Sequence, residues 1–213
     1  MTDWAKIPTI DLDSVRRHVR GWEQLSGERL LLTGGTGFIG KWLLSSFLHA
    51  NRTHNLGARI AVLSRDIGSF LARHPELDGT ADIDWIEGDI RSFDLPAGMS
   101  CRYCIHAATD VAKTRHPADI FEDCIAGTRR VIDQSGRAGV SRLLLLSSGA
   151  VYGPAPEHVK MLNETFSGAP DTMDPRNAYG EGKRAAVLLC VTAGAEAQIH
   201  VSVARCFAFV GPH

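Results

Sequence analysis

The 213-residue chain lacks any long hydrophobic run and any excess of one charge. No apolar stretch approaches the ~20 residues that cross a bilayer. The first residues, "MTDWAKIPTIDLD", have neither the basic start nor the apolar segment of a signal peptide. The net charge of −1 argues against nucleic acid or an acidic membrane as the main partner, because both select basic surfaces. These absences predict a cytoplasmic protein.

Cysteine is scarce, and its odd count of five excludes a complete disulfide framework. Cys101 and Cys104 form a C-x-x-C, but they flank an apolar stretch and no second ligand pair exists elsewhere. We interpret them as buried strand residues, with a metal or redox pair as the alternative. The nine histidines lack a metal-ligand spacing such as H-E-x-x-H, so we expect no metal site.

Short apolar runs alternate with longer amphipathic segments along the chain. The runs predict strands at 29–33, 59–63, 83–87, 102–106, 142–147 and 199–205, and the segments predict helices at Ile39–Ala50, Ile67–Arg73, Ala118–Ala138 and Ala178–Ala193. Strands that are apolar throughout are typical of a parallel sheet covered on both faces. The alternation therefore predicts an α/β fold with a doubly wound parallel sheet, the Rossmann order 3-2-1-4-5-6.

A glycine-rich turn, "TGGTGFIGK", joins the first strand to the first long helix. Gly34 permits a tight turn, Gly37 lets the backbone approach a pyrophosphate, and Gly40 lets the helix pack closely on the strand. The helix N-terminus adds free N–H groups and the positive end of its dipole. At the first strand–helix junction this spacing predicts a dinucleotide-binding loop rather than a turn without a ligand.

The residues after the second strand favour NADP over NAD. Ser64 takes the position where a carboxylate would bind the adenosine ribose hydroxyls and repel an extra phosphate, and Arg65 can meet a 2′-phosphate. Asp66, one place further on, confuses this distinction, and Arg65 could also be only a solvated loop residue. NADP is the favoured cofactor and NAD the alternative.

The residues after two further strands are also suited to contact a dinucleotide. After the third strand, Asp89 is placed to accept from the adenine amino group and Ile90 to cover its face. After the fourth, "HAAT" offers Ala107 and Ala108, followed by Thr109, where the chain must pass close to the cofactor. Each signal is weak alone, because small residues are common after strands.

A tyrosine and a lysine lie about one helical turn apart in "NAYGEGK". A free tyrosine titrates near 10, and lowering that value by two units requires about 2.7 kcal/mol. A positive charge ~4 Å away supplies about 4 kcal/mol at an effective dielectric of 20. We therefore predict that Lys183, helped by an oxidised nicotinamide, lowers the pKa of Tyr179 enough for proton exchange with a substrate hydroxyl.

The neighbourhood of this pair is also unusual. Gly180 and Gly182 cost helix stability, and we interpret them as keeping the surroundings of the pair open. The fifth strand ends in Ser147 and Ser148, and one of these hydroxyls could orient a substrate oxygen toward the phenol. The Y-x-x-x-K spacing is common by chance, so its place within a dinucleotide fold is what indicates a site.

Six stretches together resemble one known family: "TGGTGFIG", "GDI", "HAAT", "SSGAVYG", "YGEGK" and "RCFAFVGP". Over about residues 28–213 the chain is similar to the extended short-chain dehydrogenase/reductases, specifically the NAD-dependent epimerase/dehydratase group acting on nucleotide sugars. The resemblance implies that Tyr179 is the acid/base, Lys183 its electrostatic partner and cofactor-ribose ligand, and Ser148 the substrate-hydroxyl ligand. It also implies a pyrophosphate held by Gly34, Thr36, Gly37, Phe38 and Ile39.

Four positions depart from the family pattern. Gly149 and Ala150 stand where the dehydratases of the family have an Asp-Glu pair, and its decarboxylases also carry a glutamate there. The stretch "SSGAVYG" is therefore more similar to the epimerases. Cys124 and Ala208 each replace a common asparagine, the second of which often touches the substrate. These departures concern the substrate and not the cofactor.

The two ends of the chain have separate interpretations. A helix at roughly Asp11–Leu25 predicts that residues 1–27 are a helical extension and 28–213 the NAD(P)-binding Rossmann domain. The chain stops at His213 just after a turn signal, whereas family members continue into a smaller C-terminal substrate domain. We therefore expect a truncated chain, either a fragment or a naturally short form.

Three functions are weighed. The resemblance implies a nucleotide-sugar epimerase, in which hydride moves transiently to nicotinamide while Tyr179 takes the hydroxyl proton. The alternative is a reductase that consumes NADPH on a ketosugar or another carbonyl compound, which suits Ser64 and Arg65. The third is an NADP(H)-binding module without turnover in this short form. The resemblance also suggests a homodimer through the helices at 118–138 and 178–193.

Overall fold

Six parallel strands form the central sheet of the computed structural model, which describes residues 7–109, 115–155, 157 and 159–211. The strands are β1 (Arg29–Thr33), β2 (Arg59–Ser64), β3 (Ile83–Glu87), β4 (Tyr103–His106), β5 (Arg142–Ser148) and β6 (His200–Cys206). They lie in the order β3-β2-β1-β4-β5-β6, and every neighbouring pair is parallel. The predicted doubly wound Rossmann order is confirmed.

Helices cover both faces of this sheet. They are α1 (Thr9–His18), α2 (Phe38–His54), α3 (Ile67–Arg73), α4 (Pro117–Glu122), α5 (Thr128–Arg137) and α6 (Ala178–Glu196). A π-helical segment, Asp123–Gly127, joins α4 to α5. The single helix predicted over Ala118–Ala138 is therefore interrupted by one wide turn. Shorter 3₁₀ turns occur at Trp22–Leu25, Pro75–Leu77, Gly149–Tyr152 and Pro175–Asn177.

The predicted helix Asp11–Leu25 is wrong in extent. α1 ends at His18, and Gly21 adopts a φ of 87° before the 3₁₀ turn begins. A left-handed residue cannot continue a right-handed helix, so the chain must break there. α1 is fastened to α2 by the Asp13 carboxylate, which lies 2.9 Å from Nε2 of His49. The division of the chain at residues 27 and 28 stays a prediction.

Two hydrophobic clusters lie on opposite faces of the sheet. In β1, Leu31 belongs to the cluster under α5 and α6, whereas Leu30 and Leu32 belong to the cluster under α2 and α3. Successive side chains of a strand point to opposite faces, so a strand buried on both sides must be apolar throughout. This alternation explains the continuous apolar run that predicted β1.

The cysteines near β4 are structural residues. Cys101 and Cys104 are both buried, as predicted, and neither is in a disulfide. Burial raises the pKa of the Cys101 thiol to about 11 and that of Cys104 to about 12, so both stay protonated at neutral pH. In the described part of the chain, no cluster of three or more His, Cys, Asp or Glu side chains could hold a metal ion. Within the same ranges, no helix combines the length and apolarity needed to cross a membrane.

Candidate functional site

A cleft of about 400 Å³ lies at the carboxyl ends of β1, β2, β3 and β4. β1 and β4 are neighbours at the point where the strand order reverses, which is where doubly wound sheets bind ligands. Ten of the predicted cofactor-binding residues line this cleft: Gly34, Thr36, Gly37, Ser64, Arg65, Asp89, Ile90, Ala107, Ala108 and Thr109.

The other predicted cofactor residues lie outside the cleft lining. Phe38, Ile39 and Gly40 form the first turn of α2, directly after the glycine-rich turn. Tyr179 and Lys183 lie on α6. The structure thus brings together the ends of four strands and the start of α2, while the roles of the individual residues stay predictions.

The three glycines of the turn differ in what surrounds them. Gly34 has a φ of 74°, and a Cβ there would lie 2.8 Å from the backbone nitrogen of Ala108. A Cβ on Gly40 would lie only 2.0 Å from the Gly34 carbonyl oxygen. Gly37 is exposed, and a Cβ there would meet only that same oxygen, at 3.4 Å. The turn is therefore closely packed on its inner side and open at the N-terminus of α2, which fits a pyrophosphate.

The Asp66 side chain is the N-cap of α3. Its Oδ1 accepts a hydrogen bond of 2.8 Å from the Ser69 backbone nitrogen and caps α3. Asp66 also lines the cleft, so the ambiguity that it introduces between NADP and NAD stays. Ser64 instead pairs with Thr36, and their hydroxyl oxygens are 3.2 Å apart.

Sequence reasoning missed a second arginine at this end of the cleft. Arg73, in the last turn of α3, lines the cleft together with Arg65 and Phe70. Arg73 also helps to lower the pKa of Lys41 in α2, where burial is the larger cause, so a third cation lies nearby. The helical spacing of Phe70 and Arg73, one turn apart, is the signal that could have identified the second arginine.

Asp89 is paired within the cleft. The Arg91 backbone nitrogen and Nε donate to its Oδ1 at 2.9 and 2.8 Å, and Nη2 donates to Oδ2 at 3.2 Å. The Arg91 guanidinium holds the pKa of Asp89 below its usual value, so the carboxylate is ionised at neutral pH. Arg91 also lies 3.5 Å from Asp123 of the π-helical segment. An adenine contact by Asp89 stays a prediction.

The tyrosine, the lysine and one serine meet beyond the end of β5. The Ser148 side chain is near enough to the Tyr179 phenol to act on its pKa, and Nζ of Lys183 lies 6.0 Å from the centroid of the Tyr179 ring. Lys183 is 4% exposed, and its Nζ donates to the Leu146 carbonyl at 2.8 Å. Of the two serines that the sequence left open, the structure places Ser148 at the phenol.

Ser147 has a different environment from Ser148. It is 3% exposed, and within the described ranges its hydroxyl has no hydrogen-bond partner. Successive strand residues point to opposite faces of the sheet, so the two hydroxyls cannot both face the phenol.

The predicted lowering of the Tyr179 pKa is wrong for the polypeptide alone. Burial raises the pKa of the phenol, and the Ser148 side chain opposes that shift only in part. Burial also lowers the pKa of Lys183. The ammonium donates to the Leu146 carbonyl, not to the phenol, so it stabilises the phenolate less than the ~4 Å separation assumed from the sequence.

The glycines beside the pair serve close packing, and the interpretation that they keep space open is wrong. A Cβ on Gly180 would lie 2.8 Å from the Ala150 carbonyl oxygen. A Cβ on Gly182 would lie 2.9 Å from Cβ of Cys124 in the π-helical segment. α6 therefore approaches both neighbours more closely than an alanine would permit.

Cys124 connects the tyrosine–lysine pair to the cleft. The side chain of Thr109, which lines the cleft, is near enough to act on the pKa of the Cys124 thiol, and Cβ of Cys124 lies 2.9 Å from where a Cβ on Gly182 would be. Burial raises the pKa of the thiol, so the sulfur is a neutral, inert contact. The predicted catalytic residues thus lie next to the cleft, on the side formed by the end of β4.

An aromatic ring covers Gly149, one of the two positions where the resemblance implies an acidic pair in the dehydratases. A Cβ on Gly149 would lie 2.4 Å from Cε1 of Phe207. The Phe207 ring stacks on Tyr152 with centroids 6.3 Å apart, and 63% of the residue is exposed. Gly149 is therefore required by the packing of this ring beside Ser148.

The sheet order, the glycine-rich turn at the switch point and the tyrosine–lysine helix define a dinucleotide-binding protein of the Rossmann class. Residues 30–213 match the family described as "NAD dependent epimerase/dehydratase family". The chain belongs to this family.

The individual curated relatives have low sequence identity to this chain. The chain is 26% identical over 210 residues to UDP-glucuronic acid decarboxylase 1 of Danio rerio, covering 95% of this chain and 47% of that protein. It is 26% identical over 165 residues to UDP-glucose 4-epimerase of Neisseria meningitidis serogroup C, covering 73% and 45%. The chain spans about half the length of the curated relatives it matches.

Among solved structures, the UDP-glucuronic acid 4-epimerase from Bacillus cereus in complex with NAD superposes with a TM-score of 0.67 at 20% identity. The match covers 84% of this chain and 56% of that one. A UDP-galactose 4-epimerase superposes with a TM-score of 0.64 at 22% identity, covering 83% and 55%. At these identities the likeness shows the fold alone.

Proposed function

We propose that this chain carries the cofactor-binding and proton-transfer residues of an NAD(P)-dependent nucleotide-sugar epimerase. The observation that carries the proposal is the grouping of three side chains at the end of β5: Ser148 acts on the Tyr179 phenol in the direction that favours the phenolate, and the buried ammonium of Lys183 lies 6.0 Å from the centroid of the ring. The names of the relatives support a nucleotide sugar as substrate, since both the decarboxylases and the epimerases among them act on UDP-linked sugars.

In the proposed reaction, Tyr179 takes the proton of a sugar hydroxyl and Ser148 orients the oxygen of that hydroxyl. A bound oxidised nicotinamide supplies the hydride acceptor and a positive charge. That charge is needed, because burial keeps the pKa of Tyr179 high in the polypeptide alone. Tyr179 then returns the proton when the hydride returns to the other face of the keto sugar.

Packing around Ser148 favours epimerisation over decarboxylation. The resemblance implies a glutamate near this serine in the decarboxylases, but Gly149 has the Phe207 ring against it and Ala150 has no acidic group. Positions 149 and 150 therefore carry no acidic side chain.

The runner-up function is a reductase that consumes NADPH on a ketosugar or another carbonyl compound. The arginines at 65 and 73 favour it, because a stoichiometric reductant is commonly the phosphorylated cofactor. A binding module that holds NADP(H) without turnover is the third candidate for a chain of this length.

One assay separates the three functions. The chain is incubated with UDP-glucose or UDP-glucuronic acid under NADP⁺ or NAD⁺, and with the corresponding 4-keto sugar under NADPH. The epimerase yields the C4 epimer with no net change in nicotinamide absorbance at 340 nm. The reductase oxidises one NADPH for each alcohol formed. Consumption of NADPH in that ratio would replace the epimerase by the reductase as the proposed function. Tight cofactor binding without any product supports the binding module.

The preference for NADP rests on Arg65, Arg73 and the uncharged Ser64. We expect Arg65→Gln to weaken NADPH binding about tenfold to a hundredfold, because a hydrogen bond to a charged group contributes about 1.5–3 kcal/mol. NADH binding should change little. Ser64→Asp should reverse the preference by repelling the 2′-phosphate and accepting from the ribose hydroxyls. Dissociation constants for both cofactors by isothermal titration calorimetry test this.

Arg17→Gln is the matched control, since Arg17 is an exposed arginine on α1 outside the cleft lining. It should bind both cofactors as the unmodified chain does. If the unmodified chain binds NADH more tightly than NADPH, the NADP preference is refuted while the epimerase proposal stands.

The homodimer also stays a prediction. Phe121 on α4 and Leu188 and Val191 on α6 are exposed apolar side chains on the two predicted helices. The cytoplasmic location likewise stays a prediction.

A further inference from the structure

A buried histidine that the proposed chemistry does not use connects the two central strands to α5. Nδ1 of His106 lies 2.8 Å from Oγ1 of Thr33 at the end of β1. Its Nε2 lies 3.1 Å from Oγ1 of Thr128, the first residue of α5. The three residues are at most 2% exposed. They form a polar chain through the core directly beneath the cleft.

The hydrogen bonds fix where the protons of this chain are. The backbone nitrogens of Ala107 and Ala108 each donate to Oγ1 of Thr33 at 3.2 Å, and the Ala107 nitrogen is shared with the Thr33 carbonyl oxygen at the same distance. A hydroxyl oxygen has two lone pairs and one proton, so two incoming amides leave Thr33 only its proton to offer. Nδ1 of His106 must therefore be the acceptor.

The protonation of Nε2 follows from that of Nδ1. Burial, followed by the charge of Lys183, lowers the pKa of His106 to about 3, so the ring is neutral at physiological pH. A neutral ring with an unprotonated Nδ1 carries its proton on Nε2, which then donates to Thr128. A second proton on Nδ1 would face a hydroxyl that already accepts two hydrogen bonds.

The chain ends at backbone that lines the cleft. Ala107 and Ala108 form one wall of it, and Gly34 presses against them, because a Cβ on Gly34 would lie 2.8 Å from the Ala108 nitrogen. Thr128 directly follows the π-helical segment that includes Asp123, which also lines the cleft. His106 therefore holds both sides of the cleft at a fixed separation.

We propose that His106 is a positioning residue for the dinucleotide, acting as the Nε2–H tautomer through Thr33 on the backbone of Ala107 and Ala108. This inference rests on the proposed cofactor binding and adds a residue to it that touches neither cofactor nor substrate. Its function is to keep two backbone walls apart by the thickness of the bound ligand.

Three variants test the role. His106→Asn keeps an acceptor near the Nδ1 position and should bind NADPH nearly as the unmodified chain does. His106→Leu removes both hydrogen bonds and should raise the NADPH dissociation constant about tenfold or more. Thr33→Val should do the same, because it removes the acceptor of the Ala108 amide and one of the two acceptors of the Ala107 amide.

Asn51→Leu is the control for an effect that comes from lost stability alone. Asn51 is also buried and bonded to backbone, donating to the Ala58 carbonyl and accepting from its nitrogen at 3.0 Å, but it lies at the opposite end of α2 from the cleft. It should lower the free energy of unfolding and leave the NADPH dissociation constant unchanged.

A spectroscopic measurement tests the proton order without any cofactor. In ¹⁵N-labelled chain, the His106 ring should show an unprotonated Nδ1 and a protonated Nε2, unchanged from about pH 8 to about pH 5. A protonated Nδ1, or titration of the ring near its ordinary pKa, overturns the proposed chain of hydrogen bonds.

The binding measurements separate the two proposals. If the unmodified chain binds NADPH and His106→Leu binds it equally well, the positioning role is wrong and the proposed function stands. If the unmodified chain binds neither NADPH nor NADH, both are wrong.

Discussion

Replacing Tyr179 by phenylalanine is expected to lower the rate of sugar-nucleotide conversion about 100- to 10,000-fold, the range that a positioned acid/base contributes. The change removes only the hydroxyl and keeps the ring that lies beside Lys183. Cofactor binding should fall far less than the rate, since Tyr179 is only one of the predicted cofactor residues and ten others line the cleft. Initial rates and NADPH dissociation constants, measured on the same preparations, test both expectations.

Tyr103→Phe provides the comparison for this experiment. The Tyr103 hydroxyl donates to the Gln24 carbonyl at 3.1 Å, and Tyr103 is the first residue of β4, at the strand end opposite the cleft. Its removal should leave the rate unchanged. Tyr179→Phe with an undiminished rate would exclude the phenol as the acid/base and leave Ser148 and Lys183 without a proton acceptor.

Gly40→Ala is expected to produce the largest loss of stability and of dinucleotide binding. The new Cβ would lie 2.0 Å from the Gly34 carbonyl oxygen and 2.6 Å from Cα of Gly35, and backbone atoms cannot move aside as a flexible side chain can. Overpacking typically costs about 1–3 kcal/mol, and a backbone collision at this distance should reach or exceed that upper value. Urea denaturation and NADPH titration measure the two losses.

Gly136→Ala is the matched substitution elsewhere. Gly136 lies in α5 with nothing within 4 Å of an added Cβ, so alanine should raise the free energy of unfolding by about 0.5–1 kcal/mol. A Gly40→Ala chain as stable as the unmodified one would show that α2 does not pack on β1 as described.

The fold could be predicted from sequence because its evidence is local. Leu30, Leu31 and Leu32 are apolar in succession since the strand is buried on both faces, and that pattern is visible in the sequence alone. The same is true of the glycine-rich turn, whose spacing matches the contacts of Gly34 and Gly40. The break in the predicted Asp11–Leu25 helix depended on one left-handed glycine, which the helical pattern of its neighbours obscured.

The features that sequence reasoning missed depend on contacts between distant segments. Arg73 reaches the cleft because α3 packs beside β2, and His106 is significant only through Thr33 and Thr128. The sign of the Tyr179 shift was wrong because burial, a property of the folded chain, outweighs the Ser148 side chain that stabilises the phenolate. Helical spacing gives the direction of a side chain but not the dielectric around it.

The stacking of Phe207 over Gly149 restricts how this chain could acquire a different chemistry during evolution. An acidic residue introduced at position 149 alone would collide with the ring, since even a Cβ lies 2.4 Å from it. The ring would have to turn aside, which its exposed position permits, or be replaced by a smaller residue, and either change takes it off Tyr152. A larger side chain at position 149 therefore displaces the ring that covers Tyr152, and a lineage that acquires one is expected to change the packing of residue 207 as well.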